Sequence, residues 1–181
     1  VPKKGLPVLL EAINSIISQD PSILLVIAGE GPLKHFVHDL VNKKGISKNV
    51  YFPGFISRDT KIRIINAADI FVLPSITIPG GDREGLPVSL LENMAHGNIC
   101  IATLGSGAED VITHGVNGFL CPQGNAEELT NILRSALQQS LQEKNRMQSS
   151  ARDLAVRFAW PNIVSEYNEH FFNLKKSRNE T

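Results

Sequence analysis

Short apolar runs alternate along this chain with longer stretches patterned at helical spacing, and that alternation leaves few folds open. The runs are Ile23 to Ala28, Asn49 to Phe52, Ile70 to Leu73, Ile99 to Ala102 and Asn117 to Cys121. An unbroken apolar run suits a strand buried on both faces, the condition of a parallel sheet covered by helices. The stretches between supply the helices. Leu9, Ile13, Ile16 and Ile17 share one helical face; Leu33, Phe36, Val37, Leu40 and Val41 share another; Leu129, Ile132, Leu133, Ala136 and Leu137 share a third. Strands alternating with helices predict an α/β fold: a Rossmann-like parallel sheet of about five to six strands, flanked by helices and joined by right-handed crossovers.

Local signals mark the boundaries. Asp20-Pro21 ends the first helix, Ser57 can N-cap the helix bearing Ile62, Ile65 and Ala68, and Pro87 suits the first turn of a helix reaching about His96. Asn125 with Glu128 predicts a capping box. Two C-terminal helices broken at Trp160-Pro161 follow, to about Phe172, and Lys175 to Thr181 form a polar tail expected to be disordered. The chain therefore reads as one domain over 1–174 and a tail over 175–181.

Composition narrows the function classes. The 181 residues carry 18 Lys and Arg against 18 Asp and Glu, with 42 % hydrophobic residues. That content argues against disorder, and the zero net charge argues against a nucleic-acid binder. A chain of this length buries roughly 70 % of its unfolded surface, enough for one core. Cys100 and Cys121 are too few for a disulfide framework, and both sit in apolar runs, as buried reduced thiols would. No stretch nears the ~20 apolar residues of a membrane span and no signal-peptide pattern is seen, so a cytoplasmic location is expected. The opening Val1-Pro2-Lys3-Lys4-Gly5 has no initiator methionine and leads almost at once into a helix, as expected of a piece of a longer protein.

Open α/β sheets bind ligands outside the carboxyl ends of their strands. The loops to search are Gly29 to Pro32, Pro53 to Ile56, Pro74 to Leu86 and Thr103 to Ala108. The third says most. Glu84-Gly85-Leu86-Pro87 precedes a helix, and Glu92 follows eight residues after Glu84. Glu92 lies about 40° around the helix from Val88. With Val88, Leu91 and Ala95 as the apolar face, its carboxylate belongs at or beside that face and needs a partner there. The competing reading makes both glutamates solvated surface residues. Gly85 permits close backbone approach, and the free amides of Leu86, Val88 and Ser89 at a helix start make an anion site. The five histidines show no metal-ligand spacing, and His35 and His38 are expected on the solvent side of their helix.

Taken together, these segments resemble a known family. Glu84 to Glu92 is similar to the E-x7-E signature of retaining glycosyltransferases, in the form E-G-x-P-x4-E. Lys3-Lys4-Gly5 resembles the end of the G-R-L-x-x-K-G loop of family-4 enzymes with the GT-B fold. Ala28 to Pro32, Val50 to Phe55, Ala68 to Ser75 and Asn117 to Leu120 resemble their G-x-G-P, V-x-F-x-G, A-D-x-x-V-x-P-S and N-G-x-L segments. The order and spacing hold from Lys3 to about Leu137. Three places depart from the pattern: Asn93 stands for the usual alanine, Asn98-Ile99-Cys100 for the commoner P-V-I, and Gly105 to Glu109 fits the G-G-x-x-E loop only loosely.

The resemblance implies the C-terminal, nucleotide-sugar-binding half of a GT-B enzyme, whose N-terminal acceptor domain is the missing partner. It implies that Lys4 contacts the diphosphate and that the Leu86, Val88 and Ser89 amides, with Gly85 and Pro87 shaping the turn, complete the clamp. It implies that Glu92 accepts the ribose hydroxyls, that Glu84 meets a sugar hydroxyl or lies near the phosphates, and that Gly54, Phe55 and Ile56 read the base. The competing reading for Phe55 is core packing; Asp82 and Arg83 are equally open to sugar contact or solvation. Glu84 and Lys4 are the catalytic candidates. No metal or other cofactor is expected, the donor being a UDP- or GDP-sugar. The function so implied is hexose transfer, with retention, to a saccharide or lipid-linked acceptor in polysaccharide or glycolipid synthesis. The fragment alone is expected to be inactive, and the full enzyme is compatible with peripheral association at the inner face of the membrane. The alternatives are an epimerase-like GT-B enzyme and a non-catalytic nucleotide-binding α/β module.

Overall fold

The computed structural model describes the backbone of residues 1–178 and side chains as far as residue 171. Its strands are β1 (Leu25–Ala28), β2 (Val50–Gly54), β3 (Ile70–Leu73), β4 (Ile99–Thr103) and β5 (Phe119–Cys121). Its helices are α1 (Leu6–Ile17), α2 (Lys34–Lys43), α3 (Arg58–Ala67), α4 (Val88–His96), α5 (Ala126–Gln138), α6 (Leu141–Arg157) and α7 (Trp160–Arg178). Each apolar run became a strand, and every strand pairing is parallel.

The predicted α/β class holds, with one correction. Hydrogen bonding divides the strands into two sheets, β1-β2 and β3-β4-β5, where one was expected. A cavity lies between the two sheets, lined by β1 on one side and β3 on the other. Within the smaller sheet the register slips between Val26 and Ala28, opposite Pro53, which has no N–H to give the ladder.

β4 shows how one strand serves two cores. Ile99 and Ile101 join the core built with α1, α2 and α5, while Cys100 and Ala102 join the core under α4 and α6. Successive side chains point to opposite faces, so all five residues of β4 are buried. Leu10 and Leu90, one in each core, are fully buried, and such burial stabilises by about 1.5–3 kcal/mol per side chain. Both cysteines are buried and unbridged. Burial pushes the Cys100 thiol up to about 12; burial, helped by the charge of Glu128, pushes Cys121 up to about 11.

Helix ends follow the local signals closely. Ser57 Oγ accepts from Thr60 N–H, and Asn125 Oδ1 accepts from Glu128 N–H at 2.9 Å. Only that half of the Asn125 box forms. The full reciprocal box is at Ser140 and Glu143, where the Ser140 N–H also donates to Glu143 Oε2 at 2.8 Å. The start of the expected polar tail lies in α7, which runs to Arg178; residues 179–181 lie outside the described residues.

Candidate functional site

A cavity of about 730 Å³ opens between β1 and β3 and runs to their carboxyl ends. That is the size of a small-molecule site. Of the residues singled out in the sequence it gathers Lys4, Gly54, Phe55, Ile56, Ser89 and Glu92 on its wall. A second depression, about 350 Å³ and lined by polar residues of α5 and the start of α6, contains none of them.

The lysine loop is held by backbone. Pro2–Lys4 form a 3-10 turn, and Gly5 follows with φ 61°. A Cβ on Gly5 would stand 1.8 Å from Pro74 O, so no other residue fits between this turn and the loop after β3. The Ile76 N–H donates to Lys3 O at 2.9 Å, tying the same two segments. Lys4 Nζ thereby comes 3.2 Å from Glu84 Oε1, and Lys3 Nζ stands 3.8 Å from the same oxygen and 3.0 Å from Asp82 Oδ1. The hydrogen bond to Asp82 raises the Lys3 pKa. Glu84 is mostly buried, and its Oε1, shut off from solvent, is held between the two ammonium groups as an ion pair rather than by an aligned hydrogen bond.

Glu92 is placed by α4. The expected apolar face of that helix is corrected: Leu90, Asn93 and Met94 are buried, Val88 is 69 % exposed and Ala95 is exposed. The inward face is set by Ala151 and Ala155 of α6, against which Leu90 and Met94 pack. Glu92 then stands at the cavity rim, and its required partner is Lys61 of α3, with Nζ 2.6 Å from Oε1. Nothing in the sequence pairs a lysine just inside one helix with a glutamate 31 residues on.

Glu84, Gly85, Leu86, Pro87 and Val88 do not line the cavity; of this stretch Ser89 does. Their path is braced by Gly107, whose φ is 74° and whose Cβ would fall 2.7 Å from both Gly85 C and Leu86 N. The loosely fitting Gly105 to Glu109 loop is thus a backing for the Glu84-Gly85 turn, closed on itself by the Gly105 N–H donating to Glu109 Oε1 at 2.9 Å.

Two of the departures explain each other. Asn98 Nδ2 donates to Asn93 Oδ1 at 2.8 Å and to Ile65 O at 3.0 Å, and Asn93 Nδ2 donates to Ser89 O at 2.8 Å. Both side chains are buried and satisfied, and the relay ties the first turn of α4 to the end of α3.

On the β2 side, Gly54 has φ 70°, and a Cβ there would stand 2.8 Å from Glu30 Oε1. The chain turns outward after it, leaving Phe55 89 % exposed. Core packing of Phe55 is ruled out. His35 is exposed as expected, but His38 is half-buried and stacks on Phe52 with ring centroids 4.0 Å apart, its Nε2 without a partner. His38 neighbours the buried Val37 on α2 and so faces β2 rather than solvent.

Residues 1–154 match the family model of the glycosyl transferases group 1. The chain belongs to that family. Among its relatives, the amylovoran biosynthesis glycosyltransferase AmsK of Erwinia amylovora is 32 % identical over 170 residues, covering 93 % of this chain and 39 % of the relative. The GDP-mannose-dependent monoacylated alpha-(1-6)-phosphatidylinositol monomannoside mannosyltransferase of Corynebacterium glutamicum is 29 % identical, covering 88 % of this chain and 42 % of the relative. The structure of Anabaena Alr3699/HepE in complex with UDP-glucose superposes with a TM-score of 0.78 at 25 % identity, over 97 % of this chain and 46 % of that one. This group 1 glycosyltransferase chain therefore spans about two fifths of the length of the relatives it matches, and its fold is that of one half of a GT-B enzyme.

Proposed function

We propose that the chain is the donor-binding half of a retaining glycosyltransferase, moving a hexose from a UDP- or GDP-sugar to a saccharide or lipid-linked acceptor in polysaccharide or glycolipid synthesis. The observation that carries this reading is the convergence of Lys4 and Glu92 on one cavity at the carboxyl ends of β1 and β3.

Departure of a nucleoside diphosphate builds negative charge on its phosphates. Lys4 answers it with a point charge, and the N-terminal amides of α4 with fixed dipoles. Glu92 accepts from the ribose hydroxyls, and Glu84, beside Lys4, meets a sugar hydroxyl or lies near the phosphates. The backbone of Gly54 to Ile56 faces the base. On this reading the lysine and the amides, with the arginine of the G-R-L-x-x-K-G loop whose end Lys3-Lys4-Gly5 resembles, neutralise the diphosphate, and no metal or cofactor takes part. Catalysis rests on leaving-group stabilisation and orientation once the acceptor half closes over the donor. The chain alone binds donor and transfers nothing. The full enzyme works in the cytoplasm and meets lipid-linked acceptors at the inner face of the membrane.

Two features support the reading: the relatives' names include polysaccharide biosynthesis and GDP-mannose-dependent transfer, and HepE has been solved with UDP-glucose. Ligand-observed NMR with UDP, GDP, UDP-glucose and GDP-mannose tests it. Binding of at least one nucleotide, lost in Glu92→Ala with the fold intact, is the expected outcome. Binding of none, or binding untouched by Glu92→Ala, sinks the donor-domain reading.

A further inference from the structure

α3 and α4 together build one wall of the cavity. Lys61, Ile64 and Ile65 come from α3, and Ser89, Glu92 and Asn93 from α4. The two helices are held in different ways. α4 is fixed from behind, where Leu90 and Met94, both fully buried, pack with Ala151 and Ala155 of α6. Of the ten residues of α3 only Ile65 is buried. So little apolar burial leaves the register of α3 to its polar links with α4 and the residues just after it.

Three such links form among the described residues. Lys61 Nζ lies 2.6 Å from Glu92 Oε1, Asn66 Oδ1 lies 2.6 Å from His96 Nδ1, and Asn98 Nδ2 donates to Ile65 O at 3.0 Å. The first is partly exposed and the second exposed. Water competes for both, and such links hold a geometry weakly. The third is buried, Asn98 being 5 % and Asn93 4 % exposed. It continues inward: Asn98 Nδ2 also donates to Asn93 Oδ1, and Asn93 Nδ2 donates to Ser89 O. Both hydrogens of the Asn98 amide are thus used. If α3 slid along α4, one of them would be left unmet where water cannot reach it, a costly outcome in a low-dielectric interior. The buried relay therefore sets the register, and the exposed links follow it. Lys61 stands one turn before Ile65 and shares its face, while Glu92 adjoins Asn93. Fixing Ile65 against Asn98 fixes Lys61 against Glu92.

The relay is particular to this chain. Asn93 and Asn98 stand where the family pattern usually has alanine and proline, and neither of those carries an amide to build it.

We propose that Asn93 and Asn98 are positioning residues: their relay seats α3 on α4 and so holds the Lys61–Glu92 pair at the cavity rim, with the carboxylate aimed at the ligand. What Glu92 meets there, the ribose hydroxyls, rests on the donor-binding reading; where Glu92 stands rests on the relay alone.

The test reads Glu92 first without ligand and then with it. The NMR signal of the Glu92 carboxyl carbon is compared in the 181-residue chain, Lys61→Met, Asn98→Ala and Asn93→Ala, with folding checked by circular dichroism. Lys61→Met gives the signal of the unpaired carboxylate. Asn98→Ala and Asn93→Ala are expected to move the signal toward that position. A signal unmoved in the folded variants overturns the proposal, and so does a wild-type signal already at the Lys61→Met position. Calorimetry then compares whichever of UDP and GDP binds with its dideoxy form, which lacks both ribose hydroxyls. The ratio of the two affinities is expected to fall at least about threefold in Asn98→Ala, and Asn98→Ala is expected to change it no further in the Glu92→Ala background. An unchanged ratio overturns the proposal; so does an equal fall in the Glu92→Ala background, because the relay then acts on the fold and not through Glu92. If neither nucleotide binds the wild-type chain, the donor-binding reading falls and the carboxyl signal alone decides the relay. Should Asn98→Ala not fold, Asn93→Ala, which installs the residue usual in the family, carries both readouts with the same expected and overturning results.

Discussion

Lys61 of α3 holds Glu92 of α4, its ammonium 2.6 Å from the carboxylate at the rim of the cavity. Both side chains are partly exposed, and a pair of that kind adds only about 0–1 kcal/mol to stability. Its part in the site is to fix where Glu92 points. Lys61→Met is therefore expected to leave the Tm nearly unchanged, while Glu92→Ala weakens nucleotide binding by about tenfold to a hundredfold, the loss of hydrogen bonds to a charged group. Thermal melts and calorimetric titration with UDP and GDP check the two halves.

Gly107→Ala meets the Gly85-Leu86 peptide at 2.7 Å and must hold φ 74°. The left-handed backbone costs about 1–2 kcal/mol for a residue with a side chain, and the clash pushes on the turn that carries Glu84. The expected outcome is a lowered Tm together with weaker nucleotide binding. Gly105→Ala meets only the flexible end of Gln123 at 2.6 Å, also at positive φ; it is expected to lower the Tm and leave binding nearly unchanged. Equal loss of binding in both variants would show that strain, not the Gly85 contact, is responsible.

Asn93 and Asn98 form a coupled pair. Asn93→Ala and Asn98→Ala each leave a buried polar partner unmet, at about 1–3 kcal/mol. The double variant removes both at once, so its loss is expected to fall short of the sum by about 0.5–3 kcal/mol. Urea denaturation of the four chains gives the coupling energy; a value near zero would mean that the Asn98 bond to Ile65 O carries the interaction alone.

The two thiols set an alkaline limit. In the folded chain Cys121 keeps its proton to about 11 and Cys100 to about 12, against an ordinary value of 9.0. Between those values the folded state holds protons that the unfolded state has released, so stability falls as pH rises above 9 and is fully present below it. Denaturation midpoints measured from pH 7 to 10.5 are expected to drop above pH 9. At pH 8 the folded chain is expected to resist iodoacetamide at both sites and the unfolded chain to react at both.

The sequence carried much of this molecule because its local signals have short range. The apolar runs at Ile70 to Leu73 and Ile99 to Ala102 became β3 and β4, and Leu9, Ile13, Ile16 and Ile17 all reached the core. The cap at Ser57 formed as read and Asn125 capped its helix without the return bond of the expected box, since a cap needs only three neighbouring residues. The family was legible through short motifs in fixed order, each confined to one strand, turn or helix start.

What the sequence determined by itself was the kind of element at each position, the α/β class and the burial of both cysteines. Tertiary structure alone decided the rest. It chose which face of α4 turns inward, because α6 packs there, and so put Glu92 beside Lys61. It left Phe55 outside, stacked His38 on Phe52 and set Gly107 behind Gly85. It parted the strands into two sheets around a gap. These outcomes depend on contacts between residues far apart in the chain. Propensity and periodicity act within a few residues, so neither can encode which distant surface will cover a helix or bond a strand edge.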